Sequence, residues 1–439
     1  MSRRPSRGRQ LRRRCLDLGA EMVGTALLLP LVATVNMRSA MPVRMVPPPA
    51  FALRRVPAMP SMMLTEALDV TAASSAVETV STLVAFADQS GKLAGTFFQA
   101  SLVPYLAFLY FLGYEKNQTP KVALFGHQFL LLFVLSTVFT GIVTKGTYGS
   151  TLADVDWLHG AAEALLTTSN LYVAYGYRNA MAGLPDPEGG AFRYPGLIIF
   201  ALVVAATAIG PSTLGLETHS AFLAGIGNLP ENPLAQLARA EPANALSIPT
   251  WAIHFSSVFE WLLAMNLVTT FALATRNEKW RGLTWGMLPL HASGVAACTY
   301  HFFYNSPEVG FLVTLQAGLT LLGNSTVALA ALLIALSNGW TPSELNPFKG
   351  GGEAAGTQHT EPAPAPLVMQ PMQAAPLVAA ELIGLTMLAS YMIKYGETAL
   401  GLPFSPNVIV AWFMVLTIPA SVGYNLATAV PTESRAANE

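Results

Sequence analysis

The sequence predicts an all-α polytopic integral membrane protein with about nine transmembrane helices. Hydrophobic residues make up 52% of the 439 residues and charged residues only 11%, whereas about 25% of a typical soluble domain is charged. Apolar segments of about 20 residues recur along the chain, and each is long enough as a helix to cross a hydrocarbon core of roughly 30 Å. This pattern excludes a soluble enzyme, and nothing in it indicates a nucleic-acid partner.

Residues 1–60 predict a plastid targeting presequence. They contain 11 Arg, no Lys and two acidic residues, and an Arg-rich, acid-poor start is typical of a targeting signal. The apolar run from Val23 to Val35 is short for a membrane span and has the length of a signal-peptide core. Two interpretations stay open: a bipartite signal plus transit sequence with an inner cleavage point at Ala50-Phe51, or a transit peptide alone.

The next residues predict a tether and a first membrane module. Residues 61–95 are mixed and polar with a weakly helical pattern, and we interpret them as a tether or surface helix. Residues 96–214 hold three apolar spans and a fourth that is rich in Ala, Val and Ile; the four spans cover 97–114, 122–144, 152–177 and 195–214. Residues 215–247 are rich in Pro, Asn and Glu, which predicts a polar loop outside the membrane.

A second membrane module and a C-terminal hairpin complete the chain. The module covers residues 248–340, with three spans at 248–275, 283–304 and 308–337. Residues 341–374 are rich in Gly, Pro, Ala and Gln, a composition that predicts a disordered linker. Residues 375–429 hold two further spans, which predict a transmembrane hairpin, and residues 430–439 form a tail.

Weak internal similarity predicts that the two three-span sets are tandem modules in the same orientation. A shift of 154 positions aligns Leu158 with Leu312 and Asn170 with Asn324. Membrane proteins built from repeats often place their binding site at the repeat interface.

The basic residues of the loops predict the orientation of the bundle. Loops after the first, third, fifth and seventh spans hold most of the Lys and Arg, whereas the alternate loops hold only Lys145, Arg239 and Lys394. The basic side is expected to face the stroma. His254 and His301 are then expected to lie towards the opposite, lumenal side.

Four ionisable residues lie within the spans of the second module, namely His254, Glu260, His291 and His301. Ionisable groups inside a membrane are costly and are candidates for a functional site. The first two spans form an antiparallel hairpin, so residues at one depth have position numbers with a nearly constant sum. This rule predicts one polar pair of Glu260 with His291 near mid-membrane and a second of His254 with His301. Because His254 and Glu260 lie about 120° apart on a helix, they cannot both face one partner squarely, and hydrogen bonds that only join helices remain the alternative.

The third span holds a second polar group of residues. Asp156, His159 and Glu163 fall within about 60° of one another on a helix. Two carboxylates and an imidazole on one face resemble the inward ligands of carboxylate-bridged metal bundles, although the matching ligands are not evident in the neighbouring spans. The alternatives are a proton- or ligand-handling site, or local pairing of Asp154 or Asp156 with Lys145 and of His159 with Glu163.

Long segments of the chain resemble a known family. The segments IPTWAIHFSSVFEWLLAMNLV, KWRGLTWGMLPLHASG and ACTYHFFYNSPEVGFLVTLQAGLTLLGNSTVA resemble the plastid and cyanobacterial family named after hypothetical chloroplast reading frame forty-nine. The segments SLVPYLAFLYFLGYE and DVDWLHGAAEALLTTSNLYVAYG resemble a plastid membrane domain of unknown function that accompanies it. The resemblance implies a plastid membrane and oxygenic photosynthesis, and it supplies no catalytic residues.

The histidines of the second module permit three functions. They could be axial ligands of a haem or chlorophyll, a proton or substrate path, or metal ligands together with a carboxylate. The leading hypothesis is non-enzymatic: a protein of the thylakoid, or else of the inner envelope, that assists assembly, maintenance or cofactor delivery of photosynthetic pigment–protein complexes and binds a tetrapyrrole. The alternatives are a membrane enzyme acting on a carotenoid, quinone or chlorophyll precursor, and a proton-coupled transporter.

Overall fold

The computed structural model describes residues 70–213, 244–345, 366–370, 372–400 and 405–428. These residues form nine long helices and no strand, which confirms the predicted all-α fold class. In chain order the helices are α1 (Val70–Leu112), α2 (Lys121–Tyr148), α3 (Asp156–Met181), α4 (Tyr194–Thr213), α5 (Ile248–Thr275), α6 (Lys279–Phe302), α7 (Phe311–Ser337), α8 (Ala375–Leu400) and α9 (Val408–Thr428).

Seven of these helices are both long and apolar enough to cross a membrane. The remaining two in the described part of the chain, α3 and α6, are long enough but less apolar, because they hold acidic, basic and histidine side chains. Most side chains of α3 are nevertheless buried. The least apolar helices therefore lie inside the bundle, shielded from lipid by their neighbours, which is where polar groups of a membrane protein are expected.

Helices α3, α5 and α6 form the centre of the bundle. Helix α3 packs against α2 and α5, and α6 packs against α5 and α7. Small residues allow α2 and α3 to approach closely, as is typical of membrane helices. A Cβ atom on Gly176 of α3 would lie 2.2 Å from the backbone nitrogen of Ala123 on α2, so this position cannot accept a side chain unless the helices separate.

The third helix of each three-span set packs against the first helix of the other set. Helix α3 packs on α5, and α7 packs on α1. Asn170 Nδ2 of α3 donates a hydrogen bond to the carbonyl oxygen of Ser257 on α5 at 3.2 Å. Asn324 Nδ2 of α7 donates in the same way to the carbonyl oxygen of Ser101 on α1 at 3.0 Å. These two asparagines are the pair that the shift of 154 positions aligns; the tandem repeat itself stays a prediction.

The antiparallel register of α5 and α6 follows the rule of constant sums. Trp261 Nε1 of α5 donates to the carbonyl oxygen of Met287 on α6 at 3.2 Å. Closer to the connecting loop, the hydroxyl groups of Thr269 and Thr284 lie 3.0 Å apart. Helix α5 ends at Thr275, and α6 begins at Lys279, four residues before the predicted start of the second span of this module.

We call the end of the bundle near this loop the basic end and the opposite end the histidine end. The basic end is closed by a cluster of large buried side chains. Phe271 of α5 contacts Trp280 of α6 with ring centroids 4.9 Å apart, and Tyr177 of α3 contacts Phe271 at 5.1 Å. All three residues are fully buried.

The last residues of the predicted 341–374 linker, of which the structure describes 366–370 and 372–374, contact the helix bundle. The backbone N–H of Val368 donates to the carbonyl oxygen of Ala274 at 2.8 Å, and that of Gln370 donates to the carbonyl oxygen of Met181 at 3.0 Å. Both carbonyls lie in the last turns of helices, where backbone oxygens lack intrahelical partners. Val368 and Gln370 therefore cap α5 and α3, and Leu367 and Met372 pack on the apolar core beside them.

Other details of the predicted organisation differ or lie outside the described residues. Helix α1 begins at Val70, so part of the predicted tether continues into the first span without a break. Helices α8 and α9 pack chiefly on α5 and α6 respectively. Lys394, expected in a loop, lies inside α8. The predicted presequence, most of the 215–247 loop and the 430–439 tail fall outside the described residues.

Candidate metal centre

Three buried histidines from three helices meet at the histidine end of the bundle. His159 lies in the first turn of α3, His254 near the start of α5 and His301 near the end of α6. The ring centroids are 4.9 Å apart for His159 and His254, 4.7 Å for His159 and His301, and 5.0 Å for His254 and His301. Each residue is only 5–6% exposed. We call these three residues the histidine triad.

Hydrogen bonds between α3 and α5 bring the triad together. Asp156 Oδ1 accepts a hydrogen bond from the backbone N–H of Ser247, just before α5, at 2.9 Å. Thr250 Oγ1 donates to the carbonyl oxygen of Asp156 at 3.3 Å. The same hydroxyl oxygen packs against Gly160, where an added Cβ atom would lie only 2.7 Å from it. The starts of α3 and α5 are thus held side by side, and the last turn of the antiparallel α6 reaches the same level.

Asn305 orients the ring of His301. Asn305 Nδ2 donates to Asp154 Oδ1 at 2.8 Å and to the carbonyl oxygen of Ala153 at 3.0 Å. Because these two acceptors fix the orientation of the amide, Asn305 Oδ1 is the atom that faces His301 Nδ1, at 2.8 Å. A neutral His301 then has its proton on Nδ1 and its lone pair on Nε2. Histidine ligands of metals are commonly oriented in this way, through a hydrogen bond from the other ring nitrogen.

The other two members of the triad each have a buried ring nitrogen without a hydrogen-bond partner among the described residues. These atoms are His159 Nδ1 and His254 Nε2. A buried polar atom without a partner costs about 1–3 kcal/mol. On the other side of its ring, His159 Nε2 lies 3.9 Å from Glu163 Oε1, which is too long for a hydrogen bond. The alternative of a hydrogen bond between His159 and Glu163 is therefore not what the structure shows.

The donor set fits a divalent transition metal. One nitrogen from each ring can be chosen so that all three lie within 4.8 Å of one another, and nitrogens that share a tetrahedral zinc ion are about 3.3 Å apart. Small side-chain rotations would close the difference. Imidazole suits zinc, copper, iron and nickel, and Glu163 supplies a carboxylate beside the triad.

The same geometry is less suited to a tetrapyrrole. A bis-histidine haem places its macrocycle between two imidazoles, whereas the rings of His254 and His301 are stacked at an interplanar angle of 28° and His159 packs against both. A chlorophyll at the lipid-facing surface would need an exposed histidine. The three rings of the triad are buried inside the bundle.

The predicted pair of Glu260 and His291 does not form. Among the described residues, Glu260 Oε2 and both ring nitrogens of His291 have no hydrogen-bond partner, although both residues are buried. Glu260 Oε1 instead accepts from Ser256 Oγ at 2.5 Å. A difference in depth is not the cause. The contact of His254 with His301 and that of Trp261 with Met287 flank the two residues, and they place Glu260 and His291 at about the same level in the bundle. Glu260 lies one position before Trp261, which faces α6, so its side chain is rotated about 100° away.

The acidic residues of the third span have separate roles. Asp156 holds the start of α5, and Asp154 binds Asn305 and accepts from Thr151 Oγ1 at 2.7 Å. Of the group Asp156, His159 and Glu163, only His159 joins the triad, and Glu163 lies next to it. Sequence reasoning missed Asn305, although its position four residues after His301, just beyond the end of α6, is a usable signal. It also placed His159 apart from His254 and His301, because no local pattern links residues of different modules.

Two family models match separate segments of the chain, and each segment contains part of the histidine triad. Residues 94–182, which include His159, match the family described as Protein of unknown function (DUF3593). Residues 245–333, which include His254 and His301, match Protein of unknown function (DUF2499). The triad thus joins the two matched segments.

Two relatives match part of the chain. The "Ycf49-like protein" of Synechocystis sp. is 52% identical over 88 residues, which is 20% of this chain and 85% of that protein. The "Uncharacterized protein ycf49" of Cyanophora paradoxa is 39% identical over 93 residues, which is 20% of this chain and 88% of that protein. No solved structure matches the chain.

Proposed function

The chain belongs to the Ycf49-like family of cyanobacteria and plastids, and from this premise we propose that it is a metal-binding protein of a plastid membrane. The ligands are His159, His254 and His301, and the metal is a divalent transition metal such as zinc, iron or copper. The observation on which the proposal rests is the meeting of three buried imidazoles, each from a different helix.

The hydrogen bonds around the triad support a metal over structural histidines. Structural histidines inside a membrane bundle usually bond to carbonyl or hydroxyl groups of neighbouring helices. Within the part of the chain that the structure describes, His159 Nδ1 and His254 Nε2 have no such partner, while Asn305 leaves the lone pair of His301 Nε2 available. A metal ion would offset the cost of burying these nitrogens, because imidazole binds metals in its neutral form.

The closed basic end supports a resident metal over a transported one. A path across the membrane would have to pass the contacts among Tyr177, Phe271 and Trp280, which are fully buried. These contacts therefore obstruct a path from the triad to the basic end between α3, α5 and α6. We propose that the protein holds the metal at the triad for the assembly or maintenance of photosynthetic complexes, on the thylakoid side predicted to be lumenal.

A membrane metalloenzyme is the second candidate. Catalytic zinc sites keep three protein ligands and one open position, whereas structural zinc sites are usually closed by four. The triad offers three histidines, and Glu163 beside His159 is placed as a carboxylate that could act on a metal-bound water. A lipid-soluble plastid metabolite would be the substrate class of such an enzyme.

The proposal is tested by metal analysis of the full-length protein purified in detergent without chelators. Wild type is compared with His159→Ala, His254→Ala and His301→Ala, after reconstitution with zinc, iron or copper and removal of excess metal. His127→Ala is the matched control, because His127 is also buried with an unpartnered Nε2 but lies on α2 outside the triad. About one metal ion per chain is expected in wild type and in the control, and a loss of most of it in each triad variant.

Two results would overturn the proposal: a wild type that retains no metal, or triad variants that retain as much as wild type. An absorption spectrum of the same preparations distinguishes the tetrapyrrole hypothesis from the proposed metal site. Soret absorption that disappears in the triad variants, in a wild type whose only bound metal is the iron or magnesium of the pigment in equal amount, would favour a pigment and refute the metal site.

A further inference from the structure

A short segment joins the ends of α3 and α5 at the basic end of the bundle. We call residues 367–370 the capping segment. The backbone N–H of Val368 donates a hydrogen bond to the carbonyl oxygen of Ala274 on α5. That of Gln370 donates to the carbonyl oxygen of Met181 on α3. Because Met181 lies in one matched family segment and Ala274 in the other, the capping segment connects the two at the end of the bundle opposite the histidine triad.

Met369 lies between these two hydrogen-bonded residues, and its sulfur packs against Gly183. Gly183 follows the end of α3 and has a φ of 72°, the left-handed conformation in which helices commonly end at a glycine. A Cβ atom at this position would collide with Sδ of Met369. The sulfur therefore fills the space beside the glycine backbone and holds the middle of the capping segment against the end of α3.

The side chain of Met369 is also accessible to small oxidants from solution, since the residue is 69% exposed. Oxidation of a methionine to its sulfoxide converts an apolar side chain into a polar one, and dedicated reductases reverse it. The additional oxygen is bound to the sulfur, which is the atom that packs against Gly183. Oxidation of this residue therefore acts directly on the contact that holds the capping segment.

We propose that Met369 is a site of reversible oxidation by hydrogen peroxide, and that its oxidation releases the capping segment from α3 and α5. The thioether sulfur attacks one peroxide oxygen, so that an S–O bond forms and the O–O bond breaks. The second oxygen leaves as water with both protons; the sulfur loses two electrons and the peroxide gains them. The polar sulfoxide then moves from Gly183 into water, and the two hydrogen bonds that flank Met369 are weakened. This site is independent of the metal proposed at the histidine triad.

The experiment measures hydrogen exchange of the full-length protein in detergent before and after treatment with hydrogen peroxide. In wild type, mass spectrometry should find one added oxygen on Met369. The amides of Val368 and Gln370 should then exchange at least ten-fold faster, while the central helices keep their protection. Reduction by methionine sulfoxide reductases of both stereospecificities should restore slow exchange.

Two variants of Met369 separate oxidation from other effects of peroxide. Met369→Leu keeps an apolar side chain that peroxide cannot oxidise, so exchange of the capping segment should not respond to peroxide. Met369→Gln introduces a polar side chain of similar length, so the capping segment should exchange fast without peroxide. Met392→Leu is the matched control, because Met392 is 64% exposed but lies on α8 near the histidine end. Its capping segment should respond to peroxide as that of wild type does.

Four results would overturn the proposal. The amides of Val368 and Gln370 could exchange freely before oxidation, which would show that the capping segment is not held. Oxidation of Met369 could leave their exchange unchanged, or Met369→Leu could respond to peroxide like wild type. Peroxide could also oxidise Met392 under conditions that leave Met369 unmodified.

Discussion

The imidazole ring of His254 lies stacked on that of His301, with centroids 5.0 Å apart and an angle of 28° between their planes. The two residues belong to antiparallel helices, and His159 from a third helix contacts both rings. Two imidazoles in such contact without a hydrogen bond between them gain little from each other. The arrangement is explained if their nitrogens converge on a shared ligand.

Removal of the Asn305 side chain should weaken metal binding without removing a ligand. Asn305 adopts a left-handed backbone conformation with φ of 55°, so Asn305→Gly removes the amide without backbone strain. His301 then loses the acceptor that orients its ring, and loss of such a partner typically costs 10–100-fold in metal affinity. The dissociation constant is measured by competition with a chromophoric chelator.

Gln118→Gly is the control for the Asn305 variant. Gln118 also has a positive φ of 58°, but it lies after the end of α1, at the basic end of the bundle. Its metal affinity should match that of wild type. Equal affinities in Asn305→Gly and wild type would show that Asn305 does not orient a ligand.

Replacement of His291 by an apolar residue should stabilise the bundle. Both ring nitrogens of His291 are buried without a partner, and a buried polar atom of this kind costs about 1–3 kcal/mol. His291→Leu should therefore raise the free energy of unfolding by about that amount, as measured by denaturant titration in detergent micelles. His291→Gln, which keeps a buried polar group, should not be stabilised. A His291→Leu variant that is less stable than wild type would show that His291 has a partner or a ligand.

Release of the capping segment should be visible in hydrogen exchange. Arg178 Nη2 donates to the carbonyl oxygen of Gln373 at 2.6 Å and fixes the segment in which Val368 and Gln370 cap α5 and α3. In Arg178→Ala, amides of residues 366–374 should exchange faster, while those of the central helices keep their protection. Arg193→Ala, which removes an arginine stacked on Phe125 and Phe192, should leave the exchange of this segment unchanged. If the Arg178→Ala segment keeps wild-type protection, the arginine does not hold it in place.

The helices could be predicted from the sequence because each membrane span is a local property of composition and length. The sum rule also predicted the depth of residues across α5 and α6, since it depends only on the position of the connecting loop. It correctly placed His254 at the level of His301. It could not predict rotation, and a rotation of about 100° separates Glu260 from His291.

The third member of the triad could not be predicted because it depends on packing between distant segments. His159 meets His254 and His301 only because α3 lies beside α5, and the hydrogen bonds that hold them there join Asp156 to Ser247 and Thr250. Nothing in either segment alone specifies that neighbour. The contacts of Val368 and Gln370 were missed for a similar reason: composition describes the free chain, whereas these residues bind the open carbonyls of Ala274 and Met181.

The matched asparagines provide a test of the predicted repeat. Asn170→Leu and Asn324→Leu each remove one hydrogen bond to a serine carbonyl on the neighbouring helix, and bonds of this kind in membrane bundles contribute about 0.6 kcal/mol on average. If the two interfaces are equivalent, both variants should lose a similar stability, measured as the free energy of unfolding in micelles. Because the interfaces are separate, the double variant should lose the sum of the two. Asn425→Leu on α9, at a site without these interhelical contacts, should have no comparable effect. Losses that differ several-fold between Asn170→Leu and Asn324→Leu would contradict equivalent interfaces and leave the alignment of the two modules without structural support.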